Sequence, residues 1–232
     1  MSDNAVVAGR GRRRPCGNGI LVRTIMTVAP PRLGLRIITP DDHTDTDIDI
    51  EPLQGLWTQA QYLQLTDHAR LLIEFTDGRL EVPPMPTDRH QAISQFLFLA
   101  LSPFVLTLGG KVRYAPLRLR IRNGKFREPD LLLLLDANDP RRRNDYWRGA
   151  DLVMEIVSAD DPERDTHMKR RDYAEARIPE YWIVNPMDET ITVLTLAGDA
   201  YAEHGVFGRG QQADSVCLDG FAVTVADVFD AA

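Results

Sequence analysis

Apolar positions along this chain change period several times, and each period predicts an element. Over 51–66, Leu53, Leu56, Trp57, Ala60 and Leu63 recur at three- and four-residue steps, which predicts an amphipathic helix. The stretch RLLIEFTDGRLEV reads as a β-hairpin turning at Asp77-Gly78. Pro83, Pro84 and Pro86 then break the chain, and Thr87 is placed to cap a second helix over about 88–101. Its predicted buried stripe is Ala92, Ile93, Phe96, Leu97 and Ala100. Apolar and charged residues alternate over Leu117–Arg122, the mark of a half-buried strand, and Asn123-Gly124 turns it back. EPDLLLLLD carries five consecutive leucines, so both faces of that strand are expected to be covered. After a charged loop come ADLVMEIVS as a second apolar strand and a helix over about 165–177. EYWIVNP, ITVLTL and short β pieces over about 201–225 complete the pattern. No internal repeat is visible. This order implies an α+β or α/β-like domain with a mixed central sheet flanked by helices.

Composition narrows the function classes. With 44% hydrophobic and 26% charged residues in 232, the chain is neither disordered overall nor membrane-like, and no apolar run is expected to reach the ~20 residues of a spanning helix. The net charge of −7 averages two unlike regions. Five arginines and one aspartate give the first 25 residues +4, which leaves −11 on residues 26–232. A broadly basic nucleic-acid coat is excluded, so any polyanion must be met by a local patch or a metal. Residues 1–45 are expected to be a poorly ordered Arg/Gly-rich leader, with Met26 as an alternative start and a basic arm as the competing reading. The domain proper is expected over 46–232. Cys16 and Cys217 lie too far apart for a zinc spacing, and residue usage fits a reducing, cytoplasmic setting.

Two carboxylates stand where apolar residues belong. Asp130 opens the leucine strand after Pro129, and Glu155 interrupts DLVMEIVS. A carboxylate there costs several kcal/mol unless it is paired, protonated or bound to a cation. Two acids at the ends of neighbouring strands can share a hard divalent ion such as Mg²⁺. The ordinary alternative is that each is bridged to one of the many arginines. In DTHMKRRDY, Asp165, Lys169 and either Asp172 or Tyr173 share a helix face. Only three residues of the chain are lysine, so one facing the strand of Glu155 stands out, although an i, i+4 pair with Asp165 would also explain it. Glu74 reads as a third candidate acid or an edge-strand glutamate, and His90 as an accessory group or a helix-start residue.

In order and spacing, WTQAQYLQLTDHARLLIEFTDGRLEV, DRHQAIS, EPDLLLLLD, ADLVMEIVSADD, DTHMKRRDY and IPEYWIVNP resemble the Uma-two family of restriction endonucleases, within the PD-(D/E)XK nuclease superfamily. The resemblance spans about residues 53–225 and implies a restriction-endonuclease-like fold. It makes Pro129-Asp130 the PD element and Glu155 the acid of the (D/E)XK element. Two residues on, Val157 stands where the superfamily pattern has lysine, and the Uma-type pattern carries that lysine on the next helix, here Lys169. Glu74 and His90 match an acid before the Asp-Gly turn and a histidine of the second helix.

What the resemblance implies is a Mg²⁺- or Mn²⁺-dependent endonuclease acting on DNA, with Asp130, Glu155 and Glu74 toward the metal and Lys169 near the attacked phosphate. Arg141, Arg142, Arg143, Arg170 and Arg171 are candidates for backbone phosphates, the first three equally for a solvated loop. A homodimer would suit cleavage of both strands. Competing classes are a catalytically silent nucleic-acid- or protein-binding module and a different metal-dependent hydrolase. Tyr181 and Trp182 could form a base-stacking platform, but their strand is apolar throughout, which favours core or dimer packing.

Overall fold

The structure, a computed structural model, describes residues 21–23, 34–38, 45–69 and 71–231. They fall into two units, 1–52 with 67–70 and 53–66 with 71–232. In the first, strands β1 (Leu21–Arg23), β2 (Gly34–Ile38) and β3 (Asp45–Asp49) pair antiparallel in that order. Apart from β1, β2 and Asp45, the leader expected over 1–45 lies outside the described residues.

The second unit holds the domain. Helix α1 (Gln59–His68) starts later than its apolar spacing predicts. Thr58 and Gln61 form a reciprocal cap: Gln61 N–H donates to Thr58 Oγ1 at 3.2 Å, and Thr58 N–H donates to Gln61 Oε1 at 2.9 Å. Upstream, Gly55 at φ +90° leaves helical geometry, so Leu53 and Leu56 remain exposed and Tyr62 is the buried anchor. The hairpin appears as predicted, β4 (Glu74–Thr76) and β5 (Arg79–Glu81), with Asp77 at φ +46° and Gly78 at +83°. A Cβ on Gly78 would come within 2.6 Å of the Gly55 carbonyl oxygen, so glycine is required there on two counts.

Helix α2 (Asp88–Thr107) is capped by Thr87, whose Oγ1 accepts from His90 N–H at 3.2 Å. Its stripe is Ile93, Leu97, Leu101 and Val105, all fully buried. Each such side chain contributes ~1.5–3 kcal/mol relative to exposure. The helix runs six residues beyond the predicted end, through Pro103, and is therefore long and apolar enough to cross a membrane by length and composition, contrary to the expectation above. In this fold it packs on the sheet.

Next comes β6 (Lys111–Tyr114), and beyond Pro116 the charged alternation over Leu117–Arg122 forms β7 (Leu119–Arg122). A short strand that the pattern did not reveal, β8 (Lys125–Arg127), follows the Asn123-Gly124 turn. β9 (Leu131–Leu134) and β10 (Leu152–Ile156) are buried throughout, as their leucine and valine content predicts. Next come a π-helical turn over Arg164–Met168, α3 (Lys169–Glu175) and β11 (Glu180–Asn185). β12 (Thr190–Ala197), β13 (Ala200–Phe207), β14 (Gln212–Asp214), β15 (Ala222–Thr224) and α4 (Val225–Asp230) complete the chain.

Six strands form the central sheet in the order β13-β12-β11-β10-β9-β6. β10 and β11 run parallel and the other neighbours antiparallel, so the sheet is mixed. Leu131, Leu133, Leu152, Met154 and Trp182 face α2 and α4, while Leu132, Leu134, Val153 and Tyr181 face α3 with Tyr173. Tyr181 and Trp182 are core residues, each fully buried. A four-stranded antiparallel sheet, β5-β4-β8-β7, carries Glu74.

Candidate active site

Antiparallel pairing of β9 with β10 ends at Leu131↔Met154, which puts Asp130 and Glu155 side by side just past the last pair. They lock reciprocally. Ile156 N–H donates to Asp130 Oδ2 at 2.8 Å, and Asp130 N–H reaches Glu155 Oε2 at 3.4 Å. Asp130 keeps some access to solvent, its side chain 16% exposed, and Glu155 is buried. His90, from the first turn of α2, sets Nε2 3.1 Å from Asp130 Oδ2, while its Nδ1 is buried without a hydrogen-bond partner.

Lys169 enters from the opposite side. Its Nζ lies 2.9 Å from Glu155 Oε1, 3.0 Å from Asp165 Oδ1 and 4.0 Å from Glu74 Oε1. Both readings of this lysine therefore hold at once: it makes the i, i+4 pair with Asp165, but in the interior and against Glu155. Tyr173, one turn on, donates its hydroxyl to Glu155 Oε1. Asp172 lies on another face and binds Lys125 and Arg127, at 2.8 and 2.7 Å. The π-helical turn carries Asp165 at the start of this arrangement, and Tyr181 O–H donates to the Asp165 carbonyl at 2.8 Å.

Burial, the largest influence on Glu155, and the charges of Asp130 and Asp165 push its pKa up to about 8 against the pull of Lys169 and the Tyr173 hydrogen bond. Burial opposes charge on Lys169, but Glu155, Asp165, Glu74 and Asp130 outweigh it and hold the ammonium protonated. Glu74 behaves oppositely to Glu155. Burial would raise it, yet Lys169, Arg164 and Arg127 hold it down at about 2. Arg164 Nη2 sits 2.5 Å from Glu74 Oε2 and Arg127 Nε 3.4 Å from the same oxygen. Glu128, beside Pro129, is pushed up to about 8 by burial and by Glu74, and its Oε2 has no hydrogen-bond partner.

The structure thus gathers Asp130, Glu155, Lys169, Glu74 and His90 and adds Arg164 and Tyr173, which the sequence did not single out as site residues. Arg164 had no local signal, because its partner lies 90 positions away. The arginine candidates are elsewhere. Arg141 Nη2 binds Asp139 at 2.7 Å and Asp151 at 2.6 Å, tying the loop to the start of β10. Glu155 stands four residues further along the strand, roughly 13 Å away at ~3.3 Å per residue. Arg142 donates to the Ala137 carbonyl, Arg143 and Arg171 are exposed, and Arg170 donates to the Tyr201 carbonyl at 2.9 Å. Val157 is buried, with its N–H on the Val184 carbonyl at 2.9 Å, so the usual lysine position serves sheet packing instead.

Among the described residues, no three His, Cys, Asp or Glu side chains are grouped closely enough to hold a metal. Glu74 is enclosed by Arg164 and Arg127 and stands apart from the other two acids as a metal donor. Asp130 and Glu155 remain. Two carboxylates suffice for Mg²⁺, which keeps much of its water and takes further oxygens from phosphate. Asp130 and Glu155 offer hard carboxylate oxygens side by side at neighbouring strand ends, Asp130 with some access to solvent, and this donor set fits a hard cation.

A mixed sheet presenting a Pro-Asp element, a neighbouring glutamate and a lysine against that glutamate has the layout of a nuclease-type α+β fold. The family model described as "Putative restriction endonuclease", Uma2, matches residues 59–226, and the chain belongs to this family. Among solved structures it is similar to a putative nuclease belonging to DUF820 from Anabaena variabilis ATCC 29413. That likeness has a TM-score of 0.58 at 17% identity and covers 68% of this chain and 90% of that one. No curated protein matches the chain.

Proposed function

We propose that this protein is a metal-dependent endonuclease hydrolysing phosphodiester bonds of DNA at the Asp130–Glu155–Lys169 cluster. Asp130 and Glu155 would hold Mg²⁺ or Mn²⁺, which when bound lowers the pKa of water and neutralises charge on the phosphate. Lys169 holds a fixed positive charge beside Glu155, where negative charge develops as the phosphate is attacked. Tyr173 and His90 are positioning residues, fixing the carboxyls of Glu155 and Asp130. Glu74 holds Lys169 and Arg164 in place rather than binding metal. The exposed Arg142, Arg143 and Arg171 are left for backbone phosphates away from the reacting bond. A homodimer and a cytoplasmic setting belong to the same reading.

The observation that carries this reading is the contact of Lys169 with Glu155. It supplies from α3 the cation that Val157 cannot. The test is cleavage of plasmid and single-stranded DNA in Mg²⁺ or Mn²⁺ by wild type and Glu155→Ala, with loss of activity expected in the variant. Cleavage that survives the substitution removes the site. One observation favours a catalytically silent binding module instead: the third metal-ligating side chain is lacking among the described residues. Calorimetric titration with Mn²⁺ separates the two, because the nuclease reading expects binding that Asp130→Ala abolishes.

A further inference from the structure

A cleft of about 150 Å³ opens beside the carboxylates at the C-terminal ends of β10 and β11. It lies between the first turn of α2 and the residues that follow the two parallel strands. Its apolar lining is Val157, Ala159, Pro186 and Met187. Thr87, His90 and Ser158 supply polar groups, and Arg89 stands at the mouth. His90 belongs to both places, lining the cleft and holding Asp130 at 3.1 Å, so whatever fills the cleft is adjacent to the reacting phosphate. Among the described residues Arg89 pairs with Glu189, at 3.4 Å and half in solvent. Exposed pairs of that kind contribute ~0–1 kcal/mol, so the guanidinium is free to turn onto a phosphate. Val157 connects the cleft to the sequence. With the site lysine on α3, the position two residues after Glu155 forms an apolar wall.

We infer that this cleft is a subsite for one unstacked nucleobase flanking the scissile phosphate, which makes single-stranded or frayed DNA the preferred substrate. The inference rests on the nuclease reading for the identity of its ligand. Apolar walls suit the faces of a flat ring, Ser158 and Thr87 suit its polar edge, and Arg89 suits the phosphate that follows it. The space is that of a single ring system, too small for a base pair. A base reaches it only by leaving the stack, and the energy needed is least where the strand is already single.

The test is equilibrium binding of a short single-stranded oligonucleotide carrying one 2-aminopurine, whose emission rises on unstacking, with Ca²⁺ present as a carboxylate-binding ion. Wild type is expected to raise the emission. Ala159→Phe, which fills the cleft from an exposed position, is expected to lose that rise and to weaken binding by about tenfold or more. Met187→Ala, also at an exposed wall position, is expected to diminish both and guards against a folding defect in the first variant. No binding, a probe that stays quenched on wild type, or Ala159→Phe behaving as wild type overturns the subsite. An emission rise that depends on the cleft, with no cleavage in Mg²⁺ or Mn²⁺, leaves the subsite standing and overturns the nuclease reading.

Discussion

Buried acids and bases meet in this interior, and the residue-level consequences follow from which acid has which base. Glu74 has the larger share of positive charge, so its folded pKa of about 2 lies below the ordinary 4.5. A depressed carboxylate stabilises the fold above its unfolded pKa, and that contribution is lost as pH falls from about 4.5 toward 2. Glu74→Gln is therefore expected to lower stability at pH 7 by about 3 kcal/mol, since it takes from Arg164 its closest counter-ion and from Arg127 one of two. Stability measured by urea denaturation across pH should also show a shallower acid limb between those values. Tyr173→Phe preserves the ring contact with Tyr181 at 5.0 Å and removes only the hydroxyl on Glu155. Loss of a hydrogen bond to a charged group corresponds to ~1.5–3 kcal/mol, so kcat is expected to fall roughly tenfold or more with KM little changed. An equal rise in KM would mean the hydroxyl acts on binding instead. Asp130, Glu155 and Lys169 were legible in the sequence because each breaks an apolar or lysine-poor context. The pairing of Glu74 with Arg164 was not legible, because nothing local marks a partner 90 residues away.

Elements were legible where one local signal dominated. The Asp-Gly hairpin, the Thr87 cap and the all-leucine strand each form where turn chemistry, capping or two-sided burial dictates. Helix α1 shows two signals in conflict. Its apolar spacing extends back to Leu53, but Thr58-Gln59-Ala60-Gln61 is a capping box, and Gly55 ends any helix upstream. Capping geometry prevailed because orphan N–H groups at a helix start need partners, whereas Leu53 and Leu56 can remain in water at modest cost. Thr58→Ala is expected to destabilise by about 1 kcal/mol, measured as a shift of the urea midpoint with unchanged m-value. β8 escaped notice because three residues carry too little pattern to separate from the strand beside it. α2 runs past its predicted end because Leu101 and Val105 continue the buried stripe across Pro103.

At the scale of the molecule, Lys169 is where two sheets meet. Glu155 belongs to the six-stranded sheet and Glu74 to the four-stranded one, and both face a single ammonium carried on α3. Arg127 and Lys125 fasten the smaller sheet to the same helix through Asp172. Acids and bases distant in the chain thus meet at one buried site, which a net charge cannot reveal. Sequence order predicted the mixed sheet, since apolar strands and helices alternate along the chain. It could not predict that β7 would leave the sheet of β6 and β9 for the four-stranded one, because that depends on pairing partners far apart in the chain. The decisive measurement is the single-turnover rate of DNA cleavage in saturating Mg²⁺ by wild type and Lys169→Met, with folding of the variant checked by its thermal midpoint. A folded variant slowed by roughly 10²–10³-fold is predicted, the scale of removing one preorganised charge-stabilising group. A folded variant cleaving at the wild-type rate would contradict the assignment of Lys169, and with it the account of how this fold acts without a lysine at Val157.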